Sequence, residues 1–266
     1  MSELADRSIT ALRATHDDLA ARVGQFSDAD LARTSGSDEW DVAQVLSHLG
    51  SGAEISLAVL TAGLAGEPVP DAAFNQSVWD RWNALDRRAQ ARGFVAADER
   101  LVAALEALPT DTRDGASFMW FMPFPVGVEI FAGMRLNELA QHAWDVRVAF
   151  DPAAELPEPV AGALLDVITG PAAFMVGFLG RPEALGATSA ALEVRTSAPE
   201  RIFGLTLGPQ VGISPIPGAP DGALTAPTDA VIRLLGGRLR PEHTPDGIGL
   251  SGPVSLEQLR RAFPGF

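Results

Sequence analysis

Apolar positions along the first 150 residues recur at the spacing of helices. Leu4, Leu12, Leu19 and Val23 lie at helix-like intervals among charged residues, which predicts a first amphipathic helix over residues 3–24. The segment TSGSDEW (34–40) breaks the pattern and reads as a loop. Asp41 is placed to cap a second helix, in which Val42, Val45, Leu46 and Leu49 form an apolar face with His48 beside them. That helix runs to about residue 65, where Gly66 and the Pro68/Pro70 pair end it. A third long helix, rich in Ala, Arg and Leu, is expected over roughly 76–107, ending before Pro109. FMWFMPFPVG (118–127) holds two prolines and cannot continue a helix, so a fourth begins near Val128 and runs to about Phe150. Four long helices predict a bundle.

Beyond residue 150 the pattern changes. DPAAELPEPV (151–160) carries three prolines and three acids and reads as a linker. A further helix is expected over about 160–179, followed by two short β-like runs, ALEVRTS (191–197) and RIFGLTLG (201–208). PTDAVIRLLGGRL then reads as a capped helix ending at Gly236 and Gly237, and SLEQLRRAF as a last helix. The expected fold class is α+β: a four-helix bundle over residues 1–152 and a small α+β domain over 153–266.

Composition narrows the functions. A net charge of −14 argues against nucleic acid or an anionic membrane as a partner, since both need clustered cations. The absence of cysteine removes disulfides, thiolate metal sites and a cysteine nucleophile, so any thiol chemistry must use a thiol brought from outside. The acidic start, MSELADRSIT, lacks a signal-peptide pattern, and no uninterrupted apolar run approaches the ~18 residues of a membrane span. A cytoplasmic protein, monomer or homodimer, is expected.

The chemistry gathers in MRLNELAQHAWDV (134–146). At about 100° per residue, Arg135, Glu138, His142 and Asp145 fall in a stripe roughly 80° wide. Such a stripe is a solvated face or a site. Of the four histidines, His16 sits among charges in RATHDDLA and is expected at the surface, and His243 is expected in a turn. His48 and His142 have apolar helical neighbours. Glu138 and His142, four apart, can share one metal ion, with His48 from the second helix as a third ligand. Two histidines and one carboxylate leave coordination positions open for substrate. The competing reading is a chance pair on a wet face and a satisfied core histidine.

DEWDVAQVLSHL (38–49), followed about ninety residues later by MRLNELAQHAWDV, resembles the mycothiol-dependent maleylpyruvate isomerase family of actinobacteria, within the DinB-like four-helix bundles. Trp40, Asp41, Val42, His48 and Leu49 match its first pattern, although Ser or Thr is commoner where Asp41 stands. Arg135, Glu138, His142 and Asp145 match its second, Arg-x-x-Glu-x-x-x-His-x-x-Asp. GGRL (236–239) and the closing FPGF are similar to the end of its C-terminal α+β domain.

The resemblance implies that His48, Glu138 and His142 bind a divalent metal, usually zinc, and that the small thiol mycothiol is the cosubstrate. Asp145 then either orients a ligand histidine or pairs with Arg135 or another base. Trp40 reads as a packing residue, and FMWFMPFPVG as a wall over the site or as plain core. Arg238, at a helix end, is a candidate contact for the thiol. The dianion maleylpyruvate would call for cations, for which Arg135, Arg81 and Arg88 are candidates, each of them equally readable as a surface residue. The implied activity is thiol addition to an electrophilic small molecule, as S-transferase or cis-trans isomerase. Metal-assisted hydrolysis and a non-catalytic metal- or ligand-binding bundle stand as alternatives.

Overall fold

The structure, a computed structural model, describes residues 2–265; Met1 and the last residue of the closing FPGF lie outside the described residues. It divides into two compact units, one ending at Asp151 and one beginning at Pro152. The first unit is helical: α1 (Ser2–Val23), α2 (Asp28–Leu31), α3 (Val42–Ala65), α4 (Ala72–Asn83), α5 (Arg87–Glu106), α6 (Thr110–Gly115) and α7 (Val128–Val148). A two-stranded hairpin, β1 (Ser117–Phe118) with β2 (Val126–Gly127), precedes α7.

The four long helices form a ring in which α1 packs on α7 and α5, and α3 packs mainly on α5. α3 and α7 meet along the remaining seam. Leu12, Leu19, Leu46, Leu49, Phe94, Leu101 and Phe131 fill the centre without exposed surface. Each such side chain contributes about 1.5–3 kcal/mol of burial free energy. By length and composition α3 could cross a membrane, yet 56% of its most apolar window is buried inside the fold, as befits a core helix.

The long helix expected over 76–107 is two helices. Asp86 accepts a hydrogen bond from Ala89 N at 2.8 Å and starts α5 afresh. The break lets Trp82 turn inward over two glycines: a Cβ at Gly50 would come within 2.2 Å of its ring, and one at Gly93 within 2.9 Å. The FMWFMPFPVG segment is the hairpin and its turn. Phe118 stacks edge-on against Phe131 at 5.3 Å and lies against Gly63, where a Cβ would meet it at 2.6 Å. Gly63 is fifteen residues from His48, about 22 Å along a helix. Phe118 thus anchors the segment at the far end of α3, not as a wall over His48.

The second unit holds α8 (Glu158–Thr169), α9 (Met175–Leu179), α10 (Thr228–Leu235) and α11 (Leu256–Ala262) around a five-stranded sheet. Its strands are β3 (Ala190–Ser197), β4 (Arg201–Leu207), β5 (Gly212–Ser214), β6 (Gly222–Pro227) and β7 (Gly249–Leu250), in the order β5-β4-β3-β6-β7. β3 runs antiparallel to β4 and parallel to β6. The helix expected over 160–179 is interrupted after Thr169, where Pro171 lacks the N–H a helix needs. β5, β6 and β7 are short or rich in glycine and proline, and they left no alternation to read. The chain is α+β, as its pattern implied.

Candidate metal centre

His48 sits two turns into α3, whose start is fixed by a reciprocal cap. Asp41 accepts from Gln44 N at 2.8 Å, and Gln44 Oε1 accepts from Asp41 N at 2.9 Å. Glu138 and His142 stand one turn apart on α7, facing α3 across the open seam. His48 Nε2 lies 3.3 Å from Glu138 Oε2, and His142 Nε2 lies 3.8 Å from the same oxygen. One ligand atom from each of the three residues falls within 4.8 Å of the other two.

Tetrahedral zinc with ligand bonds of about 2.0–2.2 Å holds its donors about 3.3–3.6 Å apart. The cluster has near-correct spacing and the right donor chemistry, so these residues fit such an ion. The side chains of His48 and Glu138 are 38% and 34% exposed and that of His142 only 4%, which leaves one side of the cluster open.

Burial opposes the negative charge of Glu138. The hydrogen bond from His48 and the nearby His142, His48 and Arg135 charges outweigh it, and the carboxyl is held at about 2. It is therefore an anion at neutral pH, as a metal ligand must be.

Behind the cluster, His142 Nδ1 lies 2.8 Å from Asp145 Oδ2, and Asp145 is fully buried. Asp145 is thus placed within reach of His142, while Arg135, one of the bases weighed as its partner, pairs with Asp98. The TSGSDEW loop closes over this end of α7. Gly36 N donates to the Asp145 carbonyl at 2.8 Å, and a Cβ at Gly36 would come within 3.0 Å of Asp145 Cα. The same loop delivers Trp40, whose ring centroid is 5.1 Å from that of His48 and 6.0 Å from that of His142. Trp40 packs, as expected, but it packs on the imidazoles themselves.

Other residues singled out from the sequence have partners of their own. Arg135 is 4% exposed and does not face the opening. Its Nη2 donates to Asp98 Oδ1 at 2.8 Å and to the Leu49 carbonyl at 2.9 Å. Arg81 pairs with Glu54, and Arg88 with Asp28 at 2.5 Å, so each arginine proposed to meet a dianion already has a carboxylate partner. Arg238 lies in the second unit, where its Nη1 donates to the Gly236 carbonyl at 2.7 Å. His243 ends a short 3-10 turn, as read.

His16 is a correction. It is 3% exposed, with Nδ1 at 2.9 Å from Asp98 Oδ2 and Nε2 at 3.2 Å from Glu99 Oε2. The neighbouring Asp17 and Asp18 suggested water, but Leu12 and Leu19, at i−4 and i+3, put His16 on the buried stripe. Asp98 went unnoticed, although it too lies on an apolar stripe, with Phe94, Leu101, Val102 and Leu105. An acid at a core position of a helix was the signal.

These features define a class of protein: a helical bundle whose open seam carries two histidines and a carboxylate, followed by an α+β unit. The sequence profile of the mycothiol maleylpyruvate isomerase N-terminal domain matches residues 12–147, and the chain belongs to that family of enzymes. Among solved structures, the mycothiol-dependent maleylpyruvate isomerase is similar over 94% of this chain and 95% of its own, with a TM-score of 0.63 at 14% identity. A histidine-to-alanine mutant of that enzyme aligns with the same values. At this identity the likeness speaks for the fold alone. No curated protein matches the chain.

Proposed function

We propose that this chain is a metal-dependent enzyme that activates a low-molecular-weight thiol, mycothiol, for addition to an electrophilic small molecule. The observation that carries the reading is the convergence of His48 Nε2, Glu138 Oε2 and His142 Nε2 at an open seam, with Asp145 behind His142. A bound divalent ion, zinc for this donor set, would lower the pKa of a thiol from its usual ~8.5 so that it is a thiolate at neutral pH. His48 and His142 would offer nitrogen donors. Glu138 would supply one negative charge, so that a divalent ion held here would keep a net positive charge. Asp145 fixes which nitrogen of His142 points forward. Trp40 covers the two imidazoles from the loop side and limits the approach of water.

The electrophile is an activated alkene in this reading. The thiolate sulfur forms a bond to the electrophilic carbon, and the π electrons move into the adjoining carbonyl. Rotation about the new single bond followed by departure of the sulfur gives a cis-trans isomerisation. Protonation of the adduct instead gives S-transfer. Family membership supports thiol use over hydrolysis. A cytoplasmic location, where such thiols are kept reduced, belongs to the same proposal.

Metal content of untagged protein, measured by mass spectrometry for wild type and His48→Ala in parallel, tests the reading. About one zinc per chain, lost in the variant, is expected, with a thiol titration to follow. A wild-type protein that takes up no metal after reconstitution removes it.

A further inference from the structure

Asp98 has no exposed surface, and its two oxygens face different helices. Oδ1 accepts Arg135 Nη2 from α7 at 2.8 Å, and Oδ2 lies 2.9 Å from His16 Nδ1 on α1. The same Nη2 donates to the Leu49 carbonyl of α3 at 2.9 Å. Leu49 follows His48 directly, and Arg135 precedes Glu138 by one turn. A single buried carboxylate on α5 is thereby joined to all three other long helices, at the level of the metal cluster. Gly52 makes room for the guanidinium, since a Cβ there would stand 3.2 Å from Nη1. Arg135 Nε is buried without a hydrogen-bond partner, so the contacts made through Nη2 are what set its orientation.

A buried charge network with an unsatisfied donor is a poor source of stability, because apolar side chains fill the same volume without desolvating charges. Directional bonds do supply register, which apolar packing leaves free to slide. We propose that Asp98 is a positioning residue for the His48–Glu138–His142 cluster, acting through Arg135 to set the spacing of α3 against α7. The inference rests on the metal reading above for its first readout only.

The test uses the full chain and two variants. Asp98→Leu/Arg135→Met replaces the pair by apolar groups of similar volume, and Arg135→Lys keeps the charge but loses the planar fork that supports the shared contact. Zinc affinity is measured by competition with a chromogenic chelator, and the unfolding midpoint of the metal-free protein by circular dichroism. The double variant is expected to unfold cooperatively near the wild-type midpoint yet bind zinc about tenfold or more weakly. Arg135→Lys weakens zinc in the same direction by less, and it decides the matter if the double variant does not fold. A folded variant with wild-type zinc affinity overturns the proposal. If the wild type itself binds no zinc, the metal reading fails, and positioning is judged from the imidazole 15N–1H resonances of His48 and His142 in metal-free protein. Displaced resonances in Arg135→Lys support it, and resonances identical to wild type overturn it.

Discussion

Among the described residues, the bundle contains two clusters of histidine with carboxylates, and their neighbours set them apart. In one, His48, Glu138 and His142 converge, and the cation closest in sequence, Arg135, is turned away to Asp98. In the other, His16 stands beside Asp98, Asp17 and Glu99. There Arg13 Nη1 takes up Glu99 at 2.5 Å and its Nη2 takes up Glu106 at 2.8 Å, while Arg135 holds Asp98. The donor types are alike, but guanidinium groups pair directly with carboxylates of the second cluster, whereas Arg135 acts on Glu138 only through its nearby charge. On the proposed metal reading, the arginines beside each set of donors decide whether its charge is available.

The largest effect expected is at the first cluster. His142→Ala should abolish stoichiometric metal while leaving the helical circular dichroism signal largely intact, because the surrounding core of leucines is untouched. His16→Ala should leave metal content unchanged. Equal loss in both variants would erase the distinction between the clusters.

Next in size is the buried pair of the second cluster. Asp98→Ala leaves Arg135 as an uncompensated charge 4% exposed, and is expected to cost about 3–5 kcal/mol in chemical denaturation. A cost below about 1 kcal/mol would show that the pair is solvated in solution.

The same carboxyl predicts a pH dependence. Burial raises the pKa of Asp98, but the Arg135 charge and the hydrogen bonds from His16 and Arg135 prevail and hold it below its ordinary 3.8. A depressed carboxyl contributes stability above the unfolded value, and that contribution is lost as pH falls through the folded value. The stability gap between wild type and Asp98→Ala should therefore be constant from pH 7 to about 5 and narrow below about 4. A gap that widens on acidification would reverse the assigned sign.

The smallest effect belongs to the rim. Arg13→Ala removes partly exposed ion pairs and should cost under about 1 kcal/mol, less at high salt. It should leave metal uptake as in wild type, as measured by mass spectrometry.

Helical spacing carried much of this into view before any coordinates. Glu138 and His142 share a face because any two helical residues four apart do. Asp41 announced the start of α3, and DPAAELPEPV lies across the junction at Asp151 and Pro152. Failures came where a local signal competed with a distant one. The break at Ala84 to Asp86 needed the inward turn of Trp82 over Gly50, thirty-odd residues earlier in the chain. His16 was hidden by two adjacent aspartates, although its place between Leu12 and Leu19 was readable.

By itself the sequence determined α1, α3 and α7 of the bundle, the residue types of the cluster and the family motifs. Those depend on backbone periodicity and on side-chain chemistry, both local. Only the tertiary structure decided which helix faces which, and hence that His48 meets Glu138 at 3.3 Å while Arg135 meets Asp98 instead of the open seam. Those pairings join residues 90 and 37 positions apart, and helical periodicity carries no information across such distances.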